Sequence, residues 1–217
     1  MRHLAITALI VSSFACGKAE PASPTAASDA PPAAQAGSPS ALTFVERTIT
    51  LVHQVRMTCA GETVSPPRRY AVPVTLRVPA DWVAGKSNDG QPMDGSMGTF
   101  VLEPPQNPDD GPHLIVSAAP VMRCDRASFD ADFSVSRETF AAEVGREVSR
   151  IELVRPGLGV YVMKGKRRAE VTARHWVELP EPITVSYEAF VGADDDTVLG
   201  AFADATIGLA VGATKPL

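Results

Sequence analysis

The apolar residues of this chain alternate more often than they wind. Ile49, Leu51, Val55, Met57 and Cys59 alternate with Thr50, Val52, Gln54, Arg56 and Thr58, with His53 on the mostly apolar side. Period two sends successive side chains to opposite faces, so this run predicts a strand with one face inward. Val72, Val74, Leu76 and Val78 repeat the pattern. Pro66-Pro67 breaks the first strand and Pro79 closes the second. Pro73 lies inside the second, which predicts an edge position or a bulge. Strands are also expected at 100–102 and 113–123, and then at 150–155, 159–164, 169–178 and 182–191. The stretches at 85–98 and 104–112 are loops by composition.

Two segments leave this pattern. Phe133, Phe140, Ala141, Val144 and Val148 fall on one helical face, with Ser134 or Ser136 as cap and Glu138 in the first turn. Asp194, Asp195 and Asp196 precede a second helix whose apolar positions include Val198, Leu199, Phe202, Ala205 and Ile207. Four strands, a helix, four strands and a helix predict an α+β domain over 41–217, an antiparallel β-sheet flanked by two helices. The chain has 217 residues, 45% hydrophobic and 21% charged, enough to bury one core.

The first forty residues carry a different message. Arg2 begins a stretch that is apolar from Leu4 to Ala15 except for Thr7, Ser12 and Ser13. It is too short to span a bilayer and fits the core of a signal peptide over 1–15. The junction Ala15-Cys16-Gly17 resembles the lipobox of bacterial lipoproteins. That resemblance implies cleavage before Cys16 and lipidation of Cys16. Gly17, where an Asp would retain an enteric lipoprotein in the inner membrane, implies an outer-membrane anchor facing the periplasm. The alternative is a conventional secretory signal cleaved near Ala15. Residues 17–40 contain no Val, Ile, Leu, Met, Phe, Trp or Tyr, and nineteen of the 24 are Ala, Pro, Ser or Gly. Such a segment buries no apolar surface, so 16–40 is expected to be a disordered linker behind the lipidated cysteine.

The segment Val78-Pro79-Ala80-Asp81-Trp82, followed by a mid-chain helix, a strand meander and a C-terminal helix, resembles the Mog1/PsbP-like domains of several bacterial lipoproteins. The resemblance covers roughly residues 68–210. It implies an α-β-α sandwich. It implies little chemistry, since some members bind partner proteins and many have no known activity.

Exported proteins favour disulfides, and Cys59 and Cys124 are the two cysteines left beside Cys16. A bridge between them is the favoured expectation; two buried free thiols are the alternative. His53, His113 and His175 lack the spacing of a zinc site, and the acidic runs lack that of a calcium loop. Asp near helix starts is explained by capping. No phosphate loop or nucleophile elbow is present, so no cofactor, metal or catalytic residue is assigned. Lys164, Lys166, Arg167 and Arg168 cluster at a predicted turn, and Arg174 and Trp176 share one strand face. Together these six are a candidate binding surface for anionic headgroups or an acidic partner. A net charge of −5 argues against nucleic acid. The expected function is a lipid-anchored envelope module that binds an envelope protein or cell-wall ligand without catalysis. A small envelope hydrolase and a carrier of an apolar ligand are the alternatives.

Overall fold

The structure, a computed structural model, describes residues 42–86, 91, 93–106, 111–121 and 124–217. The expected signal segment, Cys16 and the expected linker lie outside the described residues, as do parts of the two predicted loops. Ser40–Leu217 forms one compact unit. Its chain order is β1 (Phe44–Met57), β2 (Thr63–Pro79), β3 (Val83–Ala84), β4 (Thr99–Glu103), β5 (His113–Pro120), α1 (Arg126–Asp132), α2 (Arg137–Val144), β6 (Glu147–Arg155), β7 (Leu158–Lys164), β8 (Arg168–Val177), β9 (Ile183–Gly192), α3 (Asp196–Thr206), β10 (Ala210–Val211) and β11 (Lys215–Pro216).

β1 and β2 form a long antiparallel hairpin in register from Phe44↔Pro79 to Val55↔Arg68. Beyond Val55 the register shifts, and pairing resumes at Met57↔Thr63. Pro66-Pro67 therefore lies inside β2, at the irregular end of the hairpin, rather than ending a strand. β10 and β11 pair with the other side of β2. Pro73 falls in the interruption between them, where no ladder donor is required, and its carbonyl accepts from the Gly212 amide at 2.9 Å. The remaining strands form a seven-stranded antiparallel sheet in the order β3-β4-β5-β9-β8-β7-β6.

The two sheets share one core. Leu51, Val72, Val74 and Val78 of the hairpin pack in a single cluster with Leu102, Leu114, Val116, Val160, Val171, Val185 and Tyr187 of the larger sheet. α3 closes this layer: Asp195 caps it by accepting from the Val198 amide at 3.1 Å, and Leu199, Phe202 and Ala203 turn into the core. Phe202 packs edge-on to Phe44, with centroids 5.2 Å apart, and lies 5.4 Å from Trp82.

The opposite, outer face of the seven-stranded sheet is covered on one half only. Phe129 of α1 lies 5.7 Å from Trp176, Phe133 stacks over Tyr161 at 6.4 Å, and Phe140 of α2 lies 5.4 Å from Tyr161. Gly159 makes this docking possible. A Cβ there would stand 2.1 Å from the Phe133 ring.

The expected two-helix α-β-α sandwich is corrected by this arrangement. Among the described residues strand dominates, with two sheets and three helices. β1 and β2 pair with each other and with β10 and β11 instead of joining the main sheet, so a second sheet occupies much of the layer expected to be helical. The single helix expected around 133–148 is two helices. Asp125 caps α1 through the Ser128 amide, and Ser136 caps α2 through the Thr139 amide. Phe133 sits between the two helices, and Val148 belongs to β6.

Candidate functional site

Outside the helix-covered half, the outer face of the seven-stranded sheet is polar. In β8 its residues are Arg168, Glu170, Thr172 and Arg174, opposite Gly192, Phe190, Glu188 and Ser186 of β9. β5 continues the rows with His113 beside Phe190, Ile115 beside Glu188 and Ser117 beside Ser186. Same-face neighbours along a strand are about 6.7 Å apart, so Arg168 to Arg174 spans about 20 Å. This surface is more buried than an ordinary solvated sheet face: Thr172 is 0% and Ser186 7% exposed. At the Arg168 end it adjoins a hollow of about 290 Å³ lined by Gly111, Pro112, Arg167, Arg168, Phe190, Val191 and Gly192. His113 and Phe190 stack there with centroids 4.8 Å apart, and His113 Nδ1 donates to the Gly111 carbonyl at 3.0 Å.

The charges on this floor divide into a satisfied pair and an unsatisfied one. Glu170 accepts from Arg146 Nη1 at 2.8 Å on one oxygen and from the Thr172 hydroxyl at 2.9 Å on the other. Arg174, by contrast, makes one long bond, Nη2 to the Tyr161 hydroxyl at 3.5 Å, with its guanidinium 5.8 Å from the Tyr161 ring centroid. Its Nε is buried without a hydrogen-bond partner, and no carboxylate stands within ion-pair distance of it among the described residues. Glu188 likewise makes no hydrogen bond or ion pair among the described residues. Burial pushes its pKa above the usual carboxylate value; the charge of Arg174 opposes that and the charge of Glu170 adds to it. Burial also pushes the Tyr161 phenol up.

The second recess is larger, about 530 Å³, at the irregular end of the β1–β2 hairpin. Its charged floor is internally paired. Glu181, 8% exposed, accepts from Arg68 Nη1 at 2.6 Å, and the Tyr70 hydroxyl lies 3.5 Å from its other oxygen. Arg68 and Tyr70 lie on the inward face of β2, so the triad bridges the two sheets and plugs the end of the core. Cys59 and Cys124 stand near this end at disulfide distance, their Cα atoms 5.3 Å apart. They tie the hairpin turn to the entry of α1. Nearby, His53 is buried with Nε2 unpartnered; burial lowers its pKa, and a bond to the Ala118 backbone opposes that.

The six residues expected to form one binding surface do not. Arg174 and Arg168 share the outer face, with Arg167 beside the hollow and Lys166 exposed on the turn. Lys164 projects from the inner side of β7 and pairs with Asp196 at the start of α3. Trp176 is on the outer face but lies beneath Phe129, 5% exposed, with Nε1 donating to Glu178 at 2.9 Å. It is a core residue of the helix-covered half. Glu188, Glu170, Thr172 and Tyr161 escaped sequence analysis. Their alternation with Tyr187 and Ala189, or with Val171 and Ala173, reads as an ordinary solvated strand face. Only the strand order brings them together. His113 stands apart from His53 and His175, and Asp109 and Asp110 beside it lie outside the described residues. Among the described residues no three His, Cys, Asp or Glu side chains gather around a point that could hold a metal.

No family model matches this chain, and no curated protein does either.

Proposed function

We propose that the chain is an exported, lipid-anchored envelope protein whose folded domain is a non-catalytic binding module, and that it captures an anionic group over Arg174. The lipobox-like Cys16 and the Pro/Ala-rich spacer support the anchor: a lipid-tethered domain needs a segment that clears the headgroups. The observation that carries the binding site is Arg174, a half-buried guanidinium with one long hydrogen bond, lying in an open polar face. Buried charges are costly unless paired, and a carboxylate or phosphate would supply the missing partner. Tyr187, Phe202, Leu114 and their neighbours fill the space between the sheets, which favours a surface module over a carrier of apolar ligands.

The test is calorimetric titration of the full-length chain with acetate, succinate and inorganic phosphate, beside Arg174→Gln. Saturable binding of at least one anion that falls tenfold or more in the variant is expected. Binding unchanged by the substitution would remove Arg174 from the site. Intact mass of the protein from its own host checks the anchor: acyl chains on Cys16 are expected, and an unmodified mature chain would overturn it.

A further inference from the structure

We infer that the ligand of the Arg174 face is a zwitterion, carrying its carboxylate to Arg174 and an ammonium group to Glu188. This rests on the binding reading above and adds the ligand's second charge. The floor holds two unpaired groups of opposite sign. Arg174 sits in the row of Ser186 and Ser117, and Glu188 in the adjacent row with Thr172 and Ile115. They are diagonal neighbours on one face, yet they make no ion pair. The Arg174 guanidinium lies over the Tyr161 ring on β7, while Glu188 projects from β9 on the other side of β8. Neither is joined in an ion pair among the described residues, although the Arg174 charge is near enough to favour the Glu188 carboxylate.

Arg146 and Glu170 are already joined on the same floor, so neither supplies the missing partner. A simple anion on Arg174 would lie beside the carboxylate of Glu188 and be repelled by it. A simple cation on Glu188 would lie beside Arg174. A molecule bearing both charges gains both attractions and avoids both repulsions. Ser186 places a hydroxyl beside the two sites, while the buried Thr172 hydroxyl donates to Glu170 and keeps that carboxylate engaged. Ile115 and the Phe190–His113 stack border the same floor and suit the carbon chain linking the charges. The class this describes is a free amino acid or the terminus of a short peptide.

A ladder of ω-amino acids tests it: glycine, β-alanine, 4-aminobutyrate and 6-aminohexanoate, with diglycine as the peptide arm, titrated into the full-length chain by calorimetry. Acetate, propionate and ethylammonium serve as single-charge controls. At least one zwitterion should bind ten or more times tighter than its single-charge analogue. Arg174→Gln and the near-isosteric Glu188→Gln should each erase that advantage. If carboxylates alone bind as tightly as the zwitterions and Glu188→Gln changes nothing, the zwitterion is wrong while Arg174 remains an anion site. If nothing in the ladder binds and no anion responds to Arg174→Gln, the binding reading falls as well.

Discussion

The two faces of the seven-stranded sheet come from the same strands, with opposite chemistry. Tyr187, Val185 and Ala189 of β9 face inward and are 0% exposed, packed against the hairpin and α3. Ser186, Glu188 and Phe190 alternate with them and face outward. Inside, apolar side chains fill the layer and the buried Glu181 carboxylate has Arg68 and Tyr70, while His53 Nε2 is the unpartnered inner side-chain atom among the described residues. Outside, Phe129, Phe133 and Phe140 match only half of the surface, and on the rest Arg174 and Glu188 make no ion pair among the described residues. The inner face is built for stability. The open half of the outer face holds charge in a setting that stability alone does not favour, the usual position of a binding surface.

The largest effect is expected on the inner face. Phe202→Ala empties the contact with Phe44 and Trp82 and should cost about 3–5 kcal/mol in urea unfolding. A loss under about 1 kcal/mol would mean the layer is loosely packed. Cys59→Ser with Cys124→Ser opens a 65-residue separation and should cost about 4 kcal/mol in the chain-entropy picture. Dithiothreitol should reproduce that loss in the wild type and change nothing in the double variant. Gly159→Ala probes the covered half, because its Cβ meets the Phe133 ring. A loss of about 1–3 kcal/mol with weakened near-ultraviolet Trp and Tyr dichroism is expected.

A smaller effect follows from pH. Burial lowers the pKa of His53 and of His175, with the Arg155 charge adding to the effect at His175. The folded protein therefore binds fewer protons than the unfolded chain just below the ordinary imidazole value of about 6.5. Their contribution is complete above that value and is lost as pH falls through it toward the lowered values. Midpoints of urea unfolding from pH 7.5 to 5 should decline below about 6.5, and His53→Gln should flatten the decline. An unchanged slope in that variant would assign the decline to other groups.

How much of this was legible depends on the range of the interaction. The alternation of Leu51, His53 and Val55, or of Val72, Val74 and Leu76, reports a local backbone period, and those strands formed with the expected faces. Asp195 and Ser136 cap helices because their side chains reach amides three residues away, again a local event. The second sheet was not legible, because β1 pairing with β2 instead of the main sheet is decided by contacts distant in sequence. The covering of Trp176, which removes it from the expected binding surface, was not legible for the same reason: its partner Phe129 arrives from α1. Arg174 could be singled out as basic and Glu188 could not be singled out at all, since their joint isolation exists only once β7, β8 and β9 are neighbours.

Under the proposed function, the charges of the open outer half are held for a ligand. Urea unfolding of Arg174→Met combined with Glu188→Gln, at pH 7 without ligand, tests it most directly. Methionine keeps the packing over Tyr161, and glutamine removes a charge that burial disfavours. The double variant should be as stable as the wild type or more stable. A loss of about 2 kcal/mol or more, the cost expected for breaking a buried structural charge network, would contradict it.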